Sequence, residues 1–278
     1  MVYVSENSRP SLGSYLVSRL ASGRLVFSRE EAQAALGISR GAFLDAAEKL
    51  QKRERLLNLR HGFYVIVPPQ HLNFGSPPPA SFIDDLMRHE QRPYYVGLLK
   101  AAELQGASHQ AVMEFQVVTD RQMRAVQSGR SKIAFYFRKD MSAIASGIEE
   151  RKTDTGKMKI SAVELTLLDL VRYPKASAGL DNILTVFSDL GAKLNPEKME
   201  VVSQAFERSV VQRAGYLLGL AGFASQAEKL HASIHRRPHI PWVELDPSLL
   251  SDPDLAPDVQ ARDERWHVLI RRIPERDE

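Results

Sequence analysis

The stretch SREEAQAALGISRGAFLDAAEKLQKRERLLNLRHGFYVIV, residues 28–67, decides how the first part of the chain folds. Ser28 followed three residues later by Glu31 is a capping box, and the helix it opens stops at Leu36-Gly37. After Ile38, Ser39 caps a further helix whose buried side is Phe43, Ala46, Ala47 and Leu50. The polar run 51–55 then yields to two apolar runs, 56–59 and 63–67, joined by the turn Arg60-His61-Gly62, which reads as a hairpin. Upstream, Leu12, Leu16 and Leu20 give one face of a helix starting near Ser11, and residues 24–27 form a short strand. Helix, strand, helix, glycine-containing turn, helix and hairpin is the order of a winged helix-turn-helix.

Outward from this head, the chain has 278 residues, 44% of them hydrophobic and 26% charged, the composition of a globular protein long enough for two domains. It has no Cys, which excludes disulfide scaffolds, thiolate metal sites and cysteine nucleophiles and makes the cytoplasm the expected address. No membrane segment is expected, because no run approaches the ~18 apolar residues of a span. Lys and Arg number 37 against 34 Asp and Glu, a small excess that is unevenly spread. Residues 1–70 carry ten basic side chains against six acidic ones, whereas residues 241–278 carry five against ten. Proline clusters at 68–69 and 77–79, and again from Pro238 onward, mark breaks. They divide the chain into a winged head (1–70), a larger α+β domain (80–236) and a proline-punctuated acidic tail (237–278). In the larger domain, 81–89 and 96–106 read as helices, 113–119, 132–137 and 158–160 as strands, and 180–190 and 196–235 as helical. Ser161 and Glu164 form a second candidate capping box. In the tail, Trp242, Val243, Trp266 and residues 268–270 suggest partial packing, although the acidic tail could also fold back on the basic head.

The residue types point to DNA rather than to chemistry. A recognition helix offers free amides and a positive dipole end at its start, here at Ser39, Arg40 and Gly41, with Lys49 and Lys52 placed for flanking phosphates. Winding the helix leaves Gly41, Asp45, Glu48, Lys49 and Lys52 outward, and the two acids among them oppose phosphate. Arg60 and His61 at the hairpin turn are the expected wing contact. Arg121, Arg124, Arg130, Lys132, Arg138 and Lys139 form a possible second basic patch, suited to DNA or to an acidic partner. Glu150 and Lys152 have the spacing of metal-dependent nucleases but sit in a segment that reads as a loop. His231 and His235 share a helix face without a third ligand. No Walker A motif or nucleophile elbow is present, so no catalytic residue, metal or cofactor is expected.

Several separated segments, RHGFYVIVPP (60–69), PYYVGLLKAA (93–102), GASHQ (106–110), FQVVT (115–119) and LTLLDL (165–170), together resemble the AbiEi-type antitoxins of bacterial abortive-infection systems. The paired glycine usual before Leu180-Asp181-Asn182 is here Ala178-Gly179. The resemblance implies a bacterial or archaeal, non-enzymatic type IV antitoxin with a role in phage defence. It further implies autorepression through the winged head, by cooperative binding to inverted repeats. The partner it implies is a nucleotidyltransferase-like toxin, countered without a stable complex. The alternatives are a stand-alone transcriptional regulator with a small-molecule pocket in the larger domain, and a nuclease built on Glu150 and Lys152.

Overall fold

A computed structural model describes residues 11–107, 113–235, 239–250 and 257–276. Part of the GASHQ motif (108–110) and the tail residues Pro238, Asp252, Pro253 and Asp254 lie outside the described residues.

The head has the expected order. Ser11 caps α1 (Leu12–Ala21), whose Leu12 and Leu16 are buried. The strand β1 (Val26–Ser28) lies slightly later than expected. The Ser28–Glu31 box is closed in both directions, at 3.1 and 2.7 Å, and opens α2 (Arg29–Leu36). Gly37, at φ +63°, ends α2 in the left-handed conformation that a side chain disfavours. Ser39 caps α3 (Arg40–Lys52) through the Ala42 amide at 3.3 Å. The hairpin β2 (Leu56–Arg60) and β3 (Phe63–Ile66) adds β1 to its β3 side, giving the order β1-β3-β2. Phe27, Phe43 and Tyr64 pack ring on ring at the centre, with centroids 5.2–6.5 Å apart. Of the four residues expected on the inner side of α3, Phe43 and Ala47 are fully buried while Ala46 and Leu50 are half-buried at its margin.

The larger domain is built on a mixed six-stranded sheet: β4 (Tyr94–Val96), β5 (Glu114–Thr119), β6 (Val126–Ser128), β7 (Ser131–Phe137), β8 (Ile148–Thr153) and β9 (Gly156–Ser161), in the order β6-β7-β5-β4-β9-β8. The pairs β5–β7 and β4–β9 are parallel and the others antiparallel. On one face lie α5 (Leu98–Leu104), α6 (Val163–Arg172), α7 (Leu180–Leu190), α8 (Pro196–Ser203), α9 (Arg208–Leu220) and α10 (Glu228–Ile234), which enclose the main core. The opposite face packs α4 (Ile83–His89) together with Leu59, Phe63 and Val65 of the wing hairpin. The head is therefore docked onto the larger domain through an apolar surface.

Three expectations are corrected. Residues 94–96 form the strand β4 at the middle of the sheet, so the expected helix 96–106 begins only at Leu98. The segment holding Glu150 and Lys152 is not a loop but the edge strand β8, where charged side chains are tolerated because one flank has no neighbour. Ser161 ends β9, and its hydroxyl meets Thr166 Oγ1 at 2.7 Å instead of capping a helix; Glu164 is buried and accepts from the Asn195 amide at 2.8 Å. The span 196–235 is helical as expected, divided into α8, α9 and α10.

The proline-rich connection is folded: 69–74 and 79–81 are 3₁₀ turns, and Gly129 lies so close to the first that a Cβ on it would sit 2.3 Å from the Phe74 carbonyl oxygen. The tail forms a small sheet of β10 (Val243–Glu244), β11 (Ala261–Asp263) and β12 (Val268–Ile270), ordered β10-β12-β11. Trp266 is buried against Gly215 of α9, the Gln212 amide donates to the Trp266 and Pro241 carbonyls at 2.9 Å, and Arg272 pairs with Asp181 at 2.8 Å. The described part of the tail thus completes the larger domain; it does not fold back on the basic head.

Candidate nucleic-acid interface

Phe43 and Ala47 anchor α3 inward, and this fixes what the helix presents outward. Ser39, Arg40, Gly41 and Ala42 at its start, and Leu44, Asp45, Glu48, Lys49 and Lys52 further along, are all exposed. The larger domain covers none of them. Thirteen residues give ~20 Å of helix, enough to lie along a major groove. At its start the unpaired backbone amides and the dipole favour a phosphate. Of the two acids that oppose DNA, Glu48 is neutralised by its own helix: Lys52 Nζ is 2.7 Å away and holds the carboxyl below its usual range by hydrogen bond and charge. Lys52 is accordingly engaged, whereas Arg40 and Lys49 have no ion pair among the described residues. Leu44, 41% exposed, was not among the outward residues read from the sequence. It stands one residue off the Phe43–Ala47 stripe, an offset of 100° that is legible in the sequence, and its methyl groups suit a thymine methyl.

The wing behaves differently from expectation. His61 is exposed, but Arg60 turns into the molecule. Its Nη2 donates to the Arg124 carbonyl at 2.5 Å, its Nε faces Glu90 Oε1 at 3.6 Å, and its guanidinium lies 5.6 Å from the centre of the Phe135 ring. The His61 carbonyl is 3.1 Å from His89 Nε2 of α4. The turn is seated on the larger domain, and Arg60 positions the wing through these contacts.

The second basic patch is not one surface. Arg138 is buried, donating to Asp169 Oδ1 at 3.1 Å and to the Ala205 carbonyl at 2.9 Å, with its guanidinium 4.2 Å from the Phe206 ring centre. Tyr95 donates its hydroxyl to the same carboxylate at 2.5 Å. Lys132 pairs with Glu114 at 2.7 Å, an interaction that raises its pKa. Arg121, Arg124, Arg130 and Lys139 are exposed, distributed between the two ends of β6 and the end of β7.

The remaining candidates do not converge. Glu150 accepts from Lys157 Nζ at 2.7 and 2.8 Å across the β8–β9 hairpin, and among the described residues no group of three His, Asp or Glu side chains is arranged to hold a metal ion. His235 Nδ1 lies 2.9 Å from the His231 carbonyl, and His231 packs edge-on against Trp266, where burial lowers its pKa. A cleft of about 600 Å³ lies between head and larger domain, lined by Arg24, Phe27, Phe82, Asp84, His89 and Lys157 among others. No described helix is long and apolar enough to cross a membrane.

Residues 95–220 match the family described as the AbiEi antitoxin C-terminal domain. No curated protein matched the chain. Among solved structures, the RV2827C protein from Mycobacterium tuberculosis is similar in fold, with a TM-score of 0.68 at 16% sequence identity, covering 97% of this chain and 95% of that one.

Proposed function

From the match of residues 95–220 to the AbiEi antitoxin C-terminal domain family, we propose that the chain is a DNA-binding type IV antitoxin. Its winged head represses its own operon at inverted repeats, and its larger domain neutralises a nucleotidyltransferase-like toxin, without chemistry of its own and without a stable complex, as part of a defence against phage. The observation that supports the DNA half is the bare outer side of α3, with its amide-rich start and the free cations Arg40 and Lys49. In this reading Ser39, Arg40 and Gly41 meet the groove, Lys49 and Lys52 the flanking phosphates and His61 the backbone beside the wing, while Arg60 holds the wing in place.

The proposal is tested in two arms. The protein is titrated at several salt concentrations against a labelled duplex from upstream of its own reading frame and against a scrambled duplex. Selective binding that weakens with salt by about 0.9 log units per log unit of salt for each neutralised phosphate is expected. Co-expression with the neighbouring nucleotidyltransferase-like protein is expected to restore growth, and failure to do so overturns the antitoxin half.

A further inference from the structure

Where the wing tip ends, the loop between β5 and β6 begins. Arg60 Nη2 reaches the Arg124 carbonyl at 2.5 Å, so the backbone at 124 lies directly against the last residue of β2. β2 is hydrogen-bonded on one side only, to β3, and β6 runs close to it. In this loop the side chains of Arg121 and Arg124 are exposed. The acids of the same corner are already engaged: Asp120 faces Arg92 and Glu90 faces Arg60, each at 3.6 Å. Arg121 and Arg124 therefore present two positive charges with no ion-pair partner among the described residues.

This is the place and the chemistry of a wing cation, offered by the other domain. A wing beside a recognition helix contributes by setting a guanidinium against the sugar–phosphate backbone next to the groove being read. Here the wing's own guanidinium is turned inward, and the position beyond it is filled by a loop that carries two. The head also has few free cations on α3, because Lys52 is paired with Glu48. We infer that the β5–β6 loop is a second DNA-contacting element, in which Arg121 and Arg124 bind backbone phosphates flanking the segment met by α3. The inference rests on the DNA-binding reading above and adds to it a part for the larger domain. Arg130 is excluded, since it lies at the far end of β6 beside Phe74, to whose carbonyl its amide donates. The contact is to phosphate, so it supplies affinity and salt dependence, not choice of base.

The experiment compares the wild type with Arg121→Gln/Arg124→Gln by fluorescence anisotropy at several salt concentrations. Two duplexes from upstream of the reading frame are used, one ending at the half-site and one extended by about ten base pairs on each side, about one helical turn. On the extended duplex the log–log salt slope of the variant is expected to be shallower by about 1.8, two phosphates at about 0.9 each. On the short duplex the two proteins are expected to bind alike. Arg121→Lys/Arg124→Lys, which keeps both charges, is expected to restore the slope, so that a loss from misfolding is told apart. An unchanged slope in the Gln variant overturns the inference while leaving the winged head's role intact. So does a Gln variant that binds DNA as the wild type does but no longer rescues growth from the toxin, because the loop then serves a protein partner. If the wild type binds neither duplex, the inference falls together with the reading beneath it.

Discussion

Asp169 has no exposure to solvent and holds Tyr95 and Arg138 through its two oxygens. Burial pushes its carboxyl up to about 6, against the opposing pull of the Arg138 guanidinium and the Tyr95 hydroxyl. Its folded value lies above that of an unfolded chain, so the proton is held more tightly when folded. The stability this provides is present below about pH 4 and lost as pH rises through about 6. Denaturant melts across that range are expected to show the fall in the wild type and to lack it in Asp169→Asn. Removing the cation instead, as Arg138→Met, leaves a buried charge uncompensated and is expected to cost about 3–5 kcal/mol. The double change with Asp169→Leu is expected to cost less than the two single changes summed, as a double-mutant cycle would measure. Ala178 poses a backbone question: it is exposed and sits at φ +56°, where an L side chain is strained by about 1–2 kcal/mol. Ala178→Gly removes that strain but gives back about 0.5–1 kcal/mol of chain entropy. A net gain of about 0.5–1 kcal/mol, or a Tm rise of about 2 °C, is expected by calorimetry.

At the scale of elements, α3 carries the most direct prediction. Arg40→Ala is expected to weaken operator binding by about 1–3 kcal/mol, and an unchanged affinity in the anisotropy titration would take Arg40 off the interface. Ser39→Ala is expected to cost about 1 kcal/mol of stability through loss of the cap, measured by thermal melting. The helices of the head were legible in the sequence because each is delimited by signals within a few residues: Ser11, Ser28 and Ser39 at the starts, Gly37 at one end, and apolar spacing that matches one helix turn. The strand β4 was not, since three apolar residues followed immediately by an apolar helix carry no alternation to separate them. β8 was hidden by its charge, which suits an edge strand but reads as a loop. Ser161 and Glu164 have the spacing of a cap, yet their hydrogen bonds run to Thr166 and Asn195, the second of which the chain brings near only on folding. The direction of Arg60 was likewise not available locally: the hairpin was legible, although Arg60 ends β2 instead of opening the turn, and what its side chain faces is decided by Glu90, Arg124 and Phe135.

At the scale of the molecule, the connection between head and larger domain is tight rather than loose. The wing hairpin contributes Leu59, Phe63 and Val65 to a cluster with Phe82, Ile83 and Leu86, and each side chain removed from water there is worth about 1.5–3 kcal/mol. The proline segment is wedged against Gly129 instead of swinging free. An isolated 1–70 fragment is therefore expected to melt at a lower temperature than the whole chain and to self-associate in sedimentation, whereas a monomeric fragment with the melting point of the whole chain would refute the docking. In evolutionary terms, the same apolar underside means that the head is not a portable cassette. A gene fusion that carried it to a different body would deliver a winged head with an unsheltered greasy flank, so the two halves are constrained to change, and to be inherited, as one piece.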